Sequence, residues 1–130
     1  MKRHEWLQDL SRDHHLALRL ALAAKRAVAA GDPAQIRATA TLCAEAYGSD
    51  LEPHFLREEN DVLPLLAQAG AGALVDRTLA EHEEMRRLAA RLNEADPTTL
   101  ERFGELLGAH VRFEERELFP AAEALPDPAP

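Results

Sequence analysis

Cysteine is almost missing from the chain: Cys43 is the only one in 130 residues, which excludes a disulfide framework and a thiolate zinc site. Cys43 is assigned only a space-filling place on its helix. Glycine is scarce at six residues, and aromatics make up 5%. With few β-branched residues beside many Ala, Leu, Glu and Arg, this composition excludes a sheet protein and favours helix almost throughout. Basic charge is in deficit, the formal net charge being −8. Binding to phosphate backbones requires a basic surface, so a nucleic-acid partner is excluded, and nothing attracts the chain to an anionic membrane. No apolar run approaches the ~20 residues that span a bilayer. The opening Met1-Lys2-Arg3-His4-Glu5 has no apolar core of a signal peptide, so a cytoplasmic location is expected.

What is present is a chain that is 46% hydrophobic, of a length that buries one continuous core in one domain. Turn signals divide it into four helices. The first is expected over about 4–30, ended by Gly31 and Asp32-Pro33, and the second over about 34–69, with Gly48 and Pro53 inside it. A kink is expected just before His54, and Pro64 is expected to end or bend the helix again. Gly70-Ala71-Gly72 turns the chain into a third helix over about 73–94, and Asp96-Pro97-Thr98 into a fourth over about 98–118. Pro120 is expected to close the fourth helix, with a short helical turn to Leu125 and a disordered tail at 126–130. Short connections between long helices predict an all-α, up-down-up-down antiparallel four-helix bundle over residues 1–125.

Two stretches echo each other: His54-Phe55-Leu56-Arg57-Glu58 and His110-Val111-Arg112-Phe113-Glu114. Each sets a histidine four residues ahead of a glutamate, on one helix face and one turn apart. Helical periodicity puts both pairs inside. In the second helix Tyr47, Leu51, His54, Glu58, Val62 and Leu65 share a stripe, and in the fourth Phe103, Leu106, Leu107, His110, Phe113 and Glu114 do so. In the third helix Val75, Leu79, His82, Met85, Ala89 and Leu92 share another, so His82 also points inward. In the first helix Leu7, Leu10, Ala17, Ala21, Ala24 and Val28 define the stripe. His14 falls within about 30° of its centre and His15 more than about 100° away, which favours His14. His4 is expected at the surface.

The result is one inward histidine per helix, His14, His54, His82 and His110, and two inward glutamates, Glu58 and Glu114. A lone inward histidine is usually a hydrogen-bonded core residue. Six such groups without a further partner would leave several unsatisfied at about 1–3 kcal/mol each, and a metal supplies that partner. Bridging carboxylates among four imidazoles suit two divalent ions, and nitrogen and oxygen ligands without thiolate suit iron, manganese or zinc.

At these residues the sequence resembles the hemerythrin-like, or HHE cation-binding, family. The matching text is Asp13-His14-His15, His54-Phe55-Leu56-Arg57-Glu58-Glu59 with Leu63-Pro64, Glu81-His82-Glu83, and His110-Val111-Arg112-Phe113-Glu114-Glu115 with Leu118-Phe119-Pro120. The resemblance implies a bundle enclosing two non-haem iron ions. His14 and His54 would hold one, His82 and His110 the other, and Glu58 and Glu114 would bridge. It further implies a partner that is a small diatomic ligand or a peroxide, bound or sensed at an open iron site, with the redox partner unspecified. One departure stands out. Oxygen carriers of the family have a second histidine one turn before the third-helix ligand, where this chain has Thr78. Four histidines resemble the branch of iron-centre repair and nitric-oxide-responsive proteins.

A redox enzyme or iron-donating repair protein using the same centre is the alternative, and the sequence leaves open whether the chain is an enzyme. Tyr47 is the one candidate proton donor. A metal-free helical interaction or phosphotransfer module is the third reading, for which only His15 would serve. Glu117 is expected to face inward as an extra carboxylate, or to pair with Arg112 or Arg116. Gly104 and Gly108 are expected to allow close helix approach. Arg86, Arg87 and Arg91 are expected to be solvated and paired with glutamates, and Trp6 to cap the bundle end.

Overall fold

The computed structural model describes residues 5–126, apart from the side chain of Trp6. The expectations for His4, for the Trp6 side chain and for most of the 126–130 tail lie outside the described residues. Four long helices make up the described residues, and no strand occurs among them. They are α1 (Glu5–Ala30), α2 (33–68), α3 (Gly72–Arg91) and α4 (97–123). None is long and apolar enough to cross a membrane.

The helix boundaries follow from local chemistry. Asp32 and Asp96 are N-caps, each accepting from a backbone N–H two residues on, Ala34 and Thr98 respectively, with proline at the first helical position. Gly31 ends α1 at φ +73° and Gly70 ends α2 at φ +86°, both in the left-handed region. A single 3₁₀ turn, Leu92–Glu94, finishes α3, and Ala95 adopts φ 54° there without glycine.

The internal prolines do not end the helices. Each is absorbed by a wide π turn placed just ahead of it. Tyr47–Leu51 precedes Pro53, Glu58–Val62 precedes Pro64 and Glu114–Leu118 precedes Pro120. A proline offers no N–H and its ring crowds the carbonyl four residues back. The residue before it bonds five back instead: Glu52 N–H to Tyr47 O, Leu63 to Glu58 O and Phe119 to Glu114 O. So α2 runs on past Pro64 to Gln68, and α4 past Pro120 to Glu123.

An extra residue per turn also shifts the inward face. Beyond Glu58 the buried residues are Val62, Leu63 and Leu66, while Leu65 of the expected stripe is only half-buried. Beyond Glu114 they are Leu118, Phe119, Ala122 and Glu123. Glu117 is carried outward by the same turn, 54% exposed, where it faces Arg77 at 3.5 Å and not Arg112 or Arg116. Leu79 is a third correction, being 41% exposed. Thr78, one residue earlier, takes the inward position and donates its hydroxyl to the Leu74 carbonyl at 2.8 Å.

The apolar core is not continuous. One cluster gathers Ala17 to Ala27 of α1, Ile36 to Phe55 of α2, Met85 and Leu92, and Leu100 to Val111 of α4. A second gathers Leu7 and Leu10, Val62 to Leu66, and Phe113 to Ala122. On α1 and α3 the inward histidine falls between the clusters, and on α2 and α4 the His54–Glu58 and His110–Glu114 pairs span the changeover. The interior is therefore two apolar blocks with a polar layer between them. Close contact of α1 with α4 stabilises the assembly at Gly104, where an added Cβ would lie 2.9 Å from Ala24 Cβ and 3.1 Å from the Ala21 carbonyl. Gly108 is less constrained, its imagined Cβ meeting nothing nearer than 3.5 Å.

Candidate metal centre

The polar layer holds His14, His54, His82, His110, Glu58 and Glu114, all buried. His15 is exposed, as helical phase requires for the residue beside an inward His14. The Glu58 and Glu114 side chains are fully buried, and all four Nε2 atoms converge on them. His54 Nε2 is 3.0 Å from Glu58 Oε2, and His82 Nε2 is 2.9 Å from Glu58 Oε1. His14 Nε2 is 2.8 Å from Glu114 Oε1, and His110 Nε2 is 3.1 Å from Glu114 Oε2. Two four-residue groups result, each able to offer ligand atoms within 4.8 Å of one another: His14, His54, Glu58 and Glu114, and Glu58, His82, His110 and Glu114. The two glutamates belong to both.

The other ring nitrogens meet a second set of carboxylates. His54 Nδ1 is 3.0 Å from Asp13, His82 Nδ1 is 2.7 Å from Glu59, His110 Nδ1 is 2.6 Å from Glu81 and His14 Nδ1 is 2.8 Å from Glu115. Each outer carboxylate neighbours a core residue of its own helix but serves the next helix. The hand-off runs α1 to α2, α2 to α3, α3 to α4 and α4 to α1, so the ring closes. An ionised carboxylate only accepts, so Nδ1 carries a proton, which leaves Nε2 as the nitrogen turned inward to the shared glutamates and available to a metal on losing its own proton. Sequence reasoning gave these four residues no role. Their adjacency to Glu58, Glu114, His14 and His82 was visible, but that each reaches across to another helix was not.

Electrostatics favour positive charge here. Burial alone would discourage protonation of His54, yet the Glu114 and Glu58 carboxylates outweigh it and raise its pKa to about 10. His110 is likewise held well above the ordinary imidazole range against its burial, chiefly by Glu114. Glu114 is kept well below the usual carboxylate range although burial opposes this, with His110 the main cause. Even so, the layer is not satisfied from within. Glu58 Oε2, Glu114 Oε2 and His110 Nε2 are buried and make no hydrogen bond, the last two facing each other with poor alignment. Imidazole nitrogens and paired carboxylates with spare lone pairs in an anionic, buried layer fit divalent cations.

Around this layer, Arg86 departs from the expected solvated role. It is half-buried, bonds Glu52 through Nε and NH2 at 3.0 and 3.2 Å, and faces Glu59 at 3.0 Å. Arg87 and Arg91 do pair with glutamates, Glu83 and Glu94, at the surface. Tyr47 donates its hydroxyl to Glu52 at 2.5 Å. Its pKa is pushed above the ordinary phenol range by burial and then by that carboxylate. Cys43 is buried in the first apolar cluster, where burial raises its thiol to about 11.

No curated protein and no solved structure matches the chain. The profile of the hemerythrin HHE cation-binding domain matches residues 7–122, a span that takes in all six core residues and the whole outer ring. With that match covering nearly its full length, the chain belongs to the hemerythrin HHE cation-binding domain family.

Proposed function

We propose that this protein binds two non-haem iron ions, bridged by carboxylates, in an up-down-up-down bundle, and uses them to bind or sense dioxygen, nitric oxide or a peroxide. The observation that carries the reading is the double orientation of the histidines. Every Nε2 faces Glu58 or Glu114, and every Nδ1 faces a carboxylate supplied by another helix. His14 and His54 would hold one ion and His82 and His110 the other, with Glu58 and Glu114 shared. The helix order is supported by the alternation of the apolar clusters, since α1 runs from the second to the first, α2 returns, and α3 and α4 repeat this.

Bound iron would supply redox-active coordination of a diatomic or a peroxide. The chain does the rest. Asp13, Glu59, Glu81 and Glu115 fix the imidazole tautomer and ring direction, which lowers the reorganisation needed when metal binds. Phe55, stacked on His82 with centroids 4.1 Å apart, and Phe119, stacked on His14 at 5.2 Å, wall the layer against bulk water. Thr78 spends its hydroxyl on a backbone carbonyl and supplies no imidazole, so the ligand set is four histidines and two glutamates.

Binding or sensing is preferred over acid–base catalysis because Tyr47, the candidate proton donor, is committed to Glu52 and held protonated. Iron donation would draw on the same ligands and is the alternative. A phosphotransfer module is disfavoured, since His14, His54, His82 and His110 are buried and only His15 is exposed among these helix histidines. The test is metal analysis with an optical spectrum on protein from iron-supplemented cells, before and after air and azide. About two irons per chain with near-ultraviolet bands of bridged ferric iron is the expected result. Folded protein that takes up no iron under anaerobic loading overturns the reading.

A further inference from the structure

Glu58 and Glu114 each follow a histidine by one turn, and both turns lead toward the second apolar cluster, to which Val62 and Leu118 belong. The carboxylates thus occupy that side of the layer, and the side left to a further small ligand faces the first cluster. Most of the first cluster is filled with large side chains, Phe55, Phe103, Leu107 and Met85 being at most 1% exposed. Along the seam of α1 and α4 the filling is small. Ala21 and Ala24 lie against Gly104, Ala21 also against Gly108, and the buried Ala17 continues the row toward His14. Outside this seam is a recess of about 230 Å³ with Leu18 and Leu22 at its lip, 42% and 46% exposed. The Arg112 guanidinium covers Gly108, 3.5 Å from where a Cβ would stand, and forms no ion pair among the described residues. Two residues beyond Gly108 is His110, 1% exposed, whose Nε2 makes no hydrogen bond.

The seam of α2 and α3 shows the same place plugged. In the register that lays His54 and Glu58 on His110 and Glu114, Gly108 answers to Glu52, and in the register that lays Asp13-His14 on Glu81-His82, Leu18 answers to Arg86. Arg86 donates to Glu52 twice, at 3.0 and 3.2 Å, across that seam. A glycine and an exposed leucine stand where this ion pair would be. The larger recess of about 510 Å³ between α1 and α2 is floored by Leu10 of the second cluster, so it meets the carboxylate side instead. We propose that small uncharged ligands reach the layer through the α1–α4 seam, between Ala17 and Ala21 on one side and Gly108 on the other, with Gly108 setting the rate of passage and Arg112 its outer cover. An apolar seam passes a diatomic during brief local openings and holds back ions, which keep their water. This rests on the reading of the layer as the place where a small molecule meets metal.

Two measurements on the full-length chain test it. In the first, nitric oxide is mixed anaerobically with iron(II)-loaded protein, and association and dissociation are followed by stopped-flow absorbance. Gly108→Val should slow both by about tenfold, the equivalent of about 1.4 kcal/mol added to opening the seam. Gly108→Ala, whose methyl the seam accommodates, should slow both by less, and Arg112→Ala should speed both. Equilibrium affinity should stay the same in all three, because a passage is crossed in both directions. In the second, metal-free protein with 13C-labelled methyl groups is placed under xenon pressure. Shifts are expected at the Leu18, Ala21 and Ala17 methyls, since apolar cavities take up xenon, and Gly108→Val should abolish the one at Ala17. Rates unchanged in all three variants, affinity lost in step with slower association, or no xenon shift along the seam overturns the proposal and leaves the metal reading intact. Protein that takes up no iron overturns the metal reading, and the xenon shifts then decide the seam by themselves.

Discussion

Glu59 on α2 lies 2.7 Å from Nδ1 of His82 on α3, while its neighbour Glu58 lies 2.9 Å from Nε2 of the same ring. Two consecutive residues of one helix thus grip both nitrogens of a histidine on the next. The wide turn that starts at Glu58 helps to make this possible, because an ordinary helix spreads successive side chains by 100°.

Removing the outer charge while keeping its shape should weaken metal binding without unfolding the bundle. Glu59→Gln and Glu81→Gln are each expected to lower affinity by about 10- to 100-fold, the usual cost of losing a carboxylate behind a ligating histidine. Competition against a chromophoric chelator measures this. Unchanged affinity in both variants would deny the outer ring a part in holding metal.

The choice between adjacent histidines on α1 is equally direct. His14 is buried between Glu114 and Glu115, and His15 is exposed one residue on. His14→Ala should lose about one metal ion per chain, while His15→Ala should leave metal content and thermal midpoint unchanged. Iron lost from His15→Ala and kept by His14→Ala would reverse the assignment.

Much of this arrangement could be read from spacing. The inward faces of His14, His54, His82 and His110 follow from 3.6-residue periodicity, which holds as long as the helix is regular. Leu65 was misplaced because it follows a π turn and Glu117 because it lies inside one, and a single extra residue moves everything after it by about 100°. The prolines that cause those turns were visible as helix breakers. Whether a proline ends a helix or widens one turn depends on tertiary packing, here the burial of Leu66 beyond Pro64 and of Ala122 beyond Pro120. The outer ring was hidden for another reason: Asp13, Glu59, Glu81 and Glu115 act between helices, and spacing along one helix carries no information about its neighbour.

The two glycines of α4 should respond oppositely to alanine. At Gly104 the new methyl would press on Ala24 Cβ and the Ala21 backbone oxygen, neither of which can swing aside. Overpacking costs about 1–3 kcal/mol, against which the better helix propensity of alanine returns at most about 1 kcal/mol. Gly104→Ala should therefore lower the urea midpoint. At Gly108 the contacts are ordinary at 3.5 Å and beyond, so Gly108→Ala should be neutral or raise it. Equal effects at both sites would show that the approach of α1 to α4 is not limited by Gly104.

Stripping the metal should cost stability through the layer itself. Without an ion, Glu58 Oε2, Glu114 Oε2 and His110 Nε2 stay buried without hydrogen bonds, at about 1–3 kcal/mol each. They cannot reach water without opening the joint between the two apolar clusters. A ligand that binds only the native state stabilises it by RT ln(1 + [L]/Kd), about 2.7 kcal/mol at a hundred times Kd. The thermal midpoint of stripped protein should therefore climb steadily with free ferrous or cobalt ion. In Glu58→Ala, which removes a carboxylate shared by both groups of potential ligands, the climb should be smaller than in His54→Ala or His110→Ala, where one group stays intact. A midpoint that ignores added metal in the unmodified protein would mean that the layer is satisfied without it, and that the orphaned oxygens find water instead.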